Sequence, residues 1–174
     1  MIIAAIDPGS KGAVVALDTD SNQGLYHKLK LDKSNMLHDE SKAFFRHMRQ
    51  QEKLSMVFIE KISPNPGWSN KAIFNFGMNY GLLLANIQML PHTQVAAATW
   101  QKKFHKPFKN LKLTPKQRTE LSYSKLFPHN PVPLTPRSGK VEEGIMDAFM
   151  IAVYGVTDFA NCPIQQWGLS KWVG

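Results

Sequence analysis

Four carboxylates in this sequence stand where they could hold a divalent cation. Asp7 closes the apolar run Ile2 to Ile6 and enters a turn of Pro8, Gly9, Ser10, Lys11 and Gly12. Glu60 closes a second apolar run, Met56 to Ile59. Short apolar runs bounded by turn residues read as buried strands, so both acids fall at strand ends. Glu143 and Asp147 are four residues apart in a helical stretch and share one face, whereas Glu142 points elsewhere. Such an i,i+4 pair is by itself ordinarily a solvated face. Joined to Asp7 and Glu60, it makes a hard-oxygen site suited to Mg²⁺ or Mn²⁺. Two such ions could activate a water and stabilise the leaving 3′-oxygen in phosphodiester hydrolysis.

The elements that must position these acids follow from periodicity. Ile2–Ile6, Ala13–Leu17 and Gly24–Leu31 predict three strands in an antiparallel meander, the third at an edge. Asn35–Gln51 has Leu37, Phe44, Phe45 and Met48 at helical spacing. A helix there lets the 56–60 strand lie parallel to the first, with Glu60 at the same sheet edge as Asp7. Lys71–Met89 predicts a helix with Ile73, Phe76, Tyr80, Leu83, Leu84 and Ile87 inward, and close packing onto the sheet would account for Gly77 and Gly81. Thr93–Ala97 predicts a fifth strand, and Thr99–Phe104 opens a helical turn. Thr114, Pro115 and Gln117 form a capping-box signature at the start of a helix that ends before Pro128. A Pro-punctuated loop, 129–140, precedes a last core helix over 141–154.

Length and charge narrow the class. The 174 residues suit one domain, and 21 Lys+Arg against 13 Asp+Glu give a net charge of +8 and a pI near 9.6. That balance favours a polyanionic partner, because cations laid on phosphates release counterions. Cys162 is the single cysteine and the six histidines are scattered, which excludes an internal disulfide and a zinc-type site. Without a secretory pattern or a membrane-length apolar stretch, the expectation is a soluble cytoplasmic protein, in the host cytoplasm if phage-encoded, with no membrane partner.

The strings IDPGSKGAVVAL, VFIEK, FGMNYGLLLA, ATWQKKF, TPKQRTELSYSKLFP and EEGIMDAFMIA, in that order, resemble the RuvC Holliday junction resolvases. The likeness is to their phage-type relatives in the RNase H-like nuclease superfamily. It implies an α/β RNase H-like fold: a five-stranded mixed sheet, an antiparallel three-strand meander plus parallel strands, with helices on both faces. Residues 1–155 would form the nuclease domain, and 156–174 a tail packing on it or on a dimer partner. By the same resemblance, Asp7 bridges the metals, Glu60 and Asp147 are ligands, and Lys116 stands near the scissile phosphate. Where the bacterial pattern has a further Asp, three before Asp147, this chain has Gly144, and Glu143 is the nearest substitute. The implied activity is Mg²⁺-dependent cleavage of branched DNA, with Mn²⁺ able to substitute, by a homodimer that cuts two opposed strands of a Holliday junction.

Lys102, Lys103, Lys106, Lys109, Lys112 and Arg118 are candidate phosphate contacts, which position DNA without reading bases. Trp68, in the loop after Glu60, either stacks on an unpaired base or packs over the end of the long helix. Rival readings are a flap- or branch-selective nuclease and a non-catalytic nucleic-acid-binding module. An ATPase of the actin/sugar-kinase class is disfavoured, because it needs a second phosphate-cradling hairpin.

Overall fold

The computed structural model describes residues 1–9, 11–30, 37–63, 67–128, 139 and 142–173. The expected loop 129–140 apart from Gly139, His129 within it, the helix start at Val141 and parts of the loop after Glu60 lie outside the described residues. The strands are β1 (Ile2–Asp7), β2 (Ala13–Asp18), β3 (Gln23–Lys28), β4 (Leu54–Lys61), β5 (His92–Ala96) and β6 (Gly168–Lys171). The helices are α1 (Asp39–Arg49), α2 (Asn70–Ile87), α3 (Ala97–His105), α4 (Pro115–Leu126) and α5 (Glu143–Asp158), with a 3₁₀ turn at Lys106–Phe108.

The sheet order is β5-β4-β1-β2-β3-β6. β1, β2 and β3 form the antiparallel meander, while β4 runs parallel to β1 and β5 parallel to β4. This is the expected mixed α/β sheet, with one correction: it has six strands where five were expected. The sixth comes from the C-terminal segment and pairs parallel with β3, Gln23 opposite Gly168 and Tyr26 opposite Lys171. Its sequence, GLSK, is largely exposed and so lacks the apolar alternation that marks a strand.

Alternation along β1 sorts the core into two layers. Ile3 and Ala5 join Val15, Phe58, Trp100, Phe149 and most of α5 on one face. Ala4 and Ile6 join Val14, Val57, Ile59, Phe44, Phe45, Met48, Leu83 and Ile87 beneath α1 and α2 on the other. β1 and β2 are therefore covered on both faces, which is why they read as continuous apolar runs. α4 begins with the expected cap: Thr114 Oγ1 accepts from the Gln117 N–H, and Gln117 Oε1 accepts from the Thr114 N–H at 2.9 Å.

The long helix α2 departs from expectation over its first half. Leu83 and Ile87 are buried as expected, but Ile73 is exposed; Phe74, which was not expected to face inward, is 70% exposed. A Cβ added at Gly77 or Gly81 would meet nothing within 4 Å. These glycines are therefore not pressed on the sheet, contrary to expectation, and Gly81 faces away from the core that its neighbours Tyr80, Leu82, Leu83 and Leu84 join.

Candidate active site

Strand register brings the first two acids together. β1 and β4 are parallel with Ile6 beside Ile59, so Asp7 and Glu60 follow as neighbours at one sheet edge. Ile6 and Ile59 both face α1 and α2. The next residue on each strand must point to the opposite face. Asp7 and Glu60 therefore project to the side covered by α5, and α5 carries Asp147.

Backbone contact fixes the helix against the hairpin. The turn after Asp7 closes with Gly12 N–H donating to the Gly9 carbonyl at 2.8 Å. A Cβ on Gly144 would lie 2.1 Å from the Lys11 carbonyl oxygen and 2.9 Å from the Gly12 Cα. No real side chain tolerates such distances, so position 144 is reserved for backbone approach. The acid that the resolvase pattern places there has no room in this chain. The first turn of α5 instead carries Glu143, exposed and ion-paired with Lys116 of α4. Glu142 leaves in another direction and pairs with Lys28 of β3 at 2.5 Å.

Electrostatics show how closely the acids sit. Burial, chiefly, pushes Asp7 up to about 6; Glu60 and Glu143 add to the shift and the Gly9 N–H opposes it. Asp147 is pushed up to about 8, first by burial and then by the charges of Asp7, Glu60 and Glu143, with Lys116 opposing. Glu60 is also raised by burial, against a hydrogen bond from Trp100. Like charges crowded in a desolvated place resist joint ionisation. Among the described residues, no three ligating side chains already converge into a metal cage. The donor set nonetheless fits a hard divalent ion. Asp7 Oδ1 accepts from Gly9 N–H at 3.0 Å, Glu60 Oε1 accepts from Trp100 Nε1–H at 3.0 Å, and Glu143 Oε1 accepts from Lys116 Nζ. Each of these carboxylates has one oxygen held by protein and a second with no protein donor among the described residues.

The other candidates separate. Lys102, Lys106, Lys109 and Lys112 are exposed and have no carboxylate partner among the described residues. Lys103 pairs with Asp158 at the far end of α5, about 16 Å along the helix from Asp147. Arg118 is partly buried and donates to the Leu111 carbonyl at 3.3 Å. Trp68 is 39% exposed and meets Phe76 of α2 edge-on at 5.0 Å, so packing over that helix claims part of its ring. Trp100 is the residue whose contact with the site was not foreseen. Its signal was a large aromatic with one polar atom directly after the fifth strand, but the partner is 40 residues away in sequence.

No family model matches the sequence, and no curated protein matches it either. Solved structures do. The mixed sheet with its helices has an RNase H-like α/β architecture of the RuvC type. A RuvC from T. thermophilus, in complex with a Holliday junction substrate, superposes with a TM-score of 0.56 at 14% identity, covering 87% of this chain and 90% of that one. A second Thermus thermophilus RuvC structure gives 0.52 at 12% identity, over 89% and 97%. The chain thus has the RuvC fold over nearly its whole length. Among the described residues no helix is long and apolar enough to cross a membrane.

Proposed function

We propose that this chain is a divalent-metal-dependent endonuclease for branched DNA that resolves Holliday junctions by nicking two opposed strands. One observation carries the reading: Asp7, Glu60 and Asp147 reach one edge and one face of the sheet from three elements, where Glu60 adds to the raised proton affinity of Asp7 and both add to that of Asp147. A crowded set of partly buried acids costs stability without a cation, and binding DNA alone would favour removing such charge.

Asp7, Glu60 and Asp147 would hold Mg²⁺, with Glu143 as the fourth donor once Lys116 releases it. When bound, the ions supply Lewis-acid activation of the phosphodiester and of the attacking water. Gly9 orients Asp7 through its N–H, and Trp100 orients Glu60. Lys116, exposed at the start of α4, is placed to meet a phosphate oxygen and exchange Glu143 for it. Lys102, Lys106, Lys109 and Lys112 supply phosphate contacts outside the site. The exposed apolar half of α2, with Phe74, Gly77 and Gly81 on its surface, supports the homodimer, since a second helix could approach it closely. The similar T. thermophilus protein is bound to a four-way junction, which supports the same substrate here.

The test is to present four-way, three-way, flap and linear duplex DNA with Mg²⁺ and map the cuts. Preference for the four-way junction supports the proposal. Preference for flaps would keep the chemistry and change the substrate.

A further inference from the structure

Trp100 is 1% exposed and belongs to the same core layer as Phe58 and Phe149. Its buried indole N–H needs an acceptor, and the one it meets is Glu60 Oε1 at 3.0 Å. That pairing is not automatic for a buried tryptophan here: the Nε1 of Trp167, 3% exposed, has no hydrogen-bond partner among the described residues. The contact follows from register. β5 lies parallel to β4 with Val95 beside Glu60 and Ala96 beside Lys61. α3 therefore starts at the carboxylate edge, and its first turn delivers Trp100 back over Glu60.

The indole is itself held. Its ring meets His105 edge-on, with centroids 6.1 Å apart at 72°. His105 Nε2 shares a hydrogen bond with Thr119 Oγ1 of α4 at 2.9 Å, and both residues are buried. Thr119 lies three residues after Lys116, which holds Glu143. One buried chain thus runs from Glu60 through Trp100, His105 and Thr119 to the helix that controls Glu143.

The geometry points to Trp100 as a positioning residue for the metal site, fixing one oxygen of Glu60 so that the other faces the ion. This rests on the metal-site reading above. Groups that orient a ligand from behind contribute about 10–100-fold to metal affinity in other proteins. No proton or covalent bond changes hands at Trp100.

Two substitutions remove the donor. Trp100→Phe also shrinks the ring. Replacing Trp100 by benzothienylalanine keeps the ring size with sulfur in place of N–H, so it remains informative where the Phe variant fails to fold. Mg²⁺ and Mn²⁺ affinities are measured by calorimetry without DNA, and junction affinity is measured in EDTA. In protein labelled with ¹⁵N at tryptophan, the Trp100 indole resonance is identified by its loss in the benzothienyl variant. The expected result is about tenfold weaker metal binding in the isostere, unchanged junction affinity in EDTA, and a wild-type Trp100 indole signal that shifts saturably with Mg²⁺. Wild-type metal affinity in the isostere, or an indole signal that stays fixed while the wild type binds metal, would overturn the role of Trp100 alone. No metal binding by the wild type would bring down the site reading and the Trp100 role together.

Discussion

At Asp147, burial and neighbouring charge favour the protonated form, which is the cost that the proposed cation would offset. With Asp147 raised to about 8 and Asp7 to about 6, these two carboxyls bind more protons in the metal-free folded chain than in the unfolded chain between about pH 4 and pH 8. Their contribution to stability therefore falls as pH rises through that window, whereas His27 and His105, both lowered by burial, contribute with the opposite sign. In EDTA, the Tm of the wild type relative to that of Asp147→Asn should fall between pH 5 and pH 8, and Mg²⁺ should recover much of the wild-type loss at pH 8. A relative Tm that stays level or rises across the same window in EDTA would contradict the arrangement. Asp147→Asn should stabilise the metal-free protein at pH 8, by on the order of 1–3 kcal/mol, while abolishing cleavage. Asp7→Asn should likewise retain fold and junction binding but lose cleavage, because an amide would not supply the negative charge that a bound divalent ion requires. Full activity of Asp7→Asn, or of the wild type in excess EDTA, would refute metal hydrolysis through these acids.

Between elements, the decisive contact is α5 against the β1–β2 turn. Gly144→Ala drives a methyl group into the Lys11 carbonyl, so the helix must shift at the end that carries Asp147. The expected cost is about 1–3 kcal/mol in denaturant melts, with a larger fractional loss of cleavage than of junction affinity. The neighbouring acids divide as their partners do. Glu143→Gln should weaken metal affinity and be partly rescued by excess Mn²⁺, whereas Glu142→Gln, which breaks only the pair with Lys28, should leave metal affinity unchanged. Equal metal titrations for both variants and the wild type would remove Glu143 from the ligand set. The first four strands and the capped start of α4 were legible because apolar runs and Thr114-Pro115-x-Gln117 act locally. β6 was not, since its four residues form a strand only by pairing with β3. The exposure of Ile73 was also hidden: it shares the helical spacing of Leu83 and Ile87, yet stands 37% exposed while they are buried. At the site, the strand-end position of Asp7 and Glu60 could be read, but the bond from Trp100 could not, because it joins elements with no shared periodicity.

Across the whole molecule, the net charge of +8 is unevenly committed. Lys28, Lys30, Lys42, Lys53, Lys103 and Lys116 are paired with carboxylates, while Lys102, Lys106, Lys109 and Lys112 are not paired among the described residues. Neutralising Lys102, Lys106 and Lys109 together should flatten the slope of log K against log salt by about 2–3, and neutralising Lys103 should change it little. An unaltered slope in the triple variant would place those lysines away from the DNA. The central claim is tested most directly by strand-resolved mapping of cuts on a four-way junction in Mg²⁺. Paired nicks at symmetric positions on two opposed strands are expected, with linear duplex left intact and Asp7→Asn inert. Intact junctions in both Mg²⁺ and Mn²⁺, or cutting of linear duplex as readily as of the junction, would contradict it.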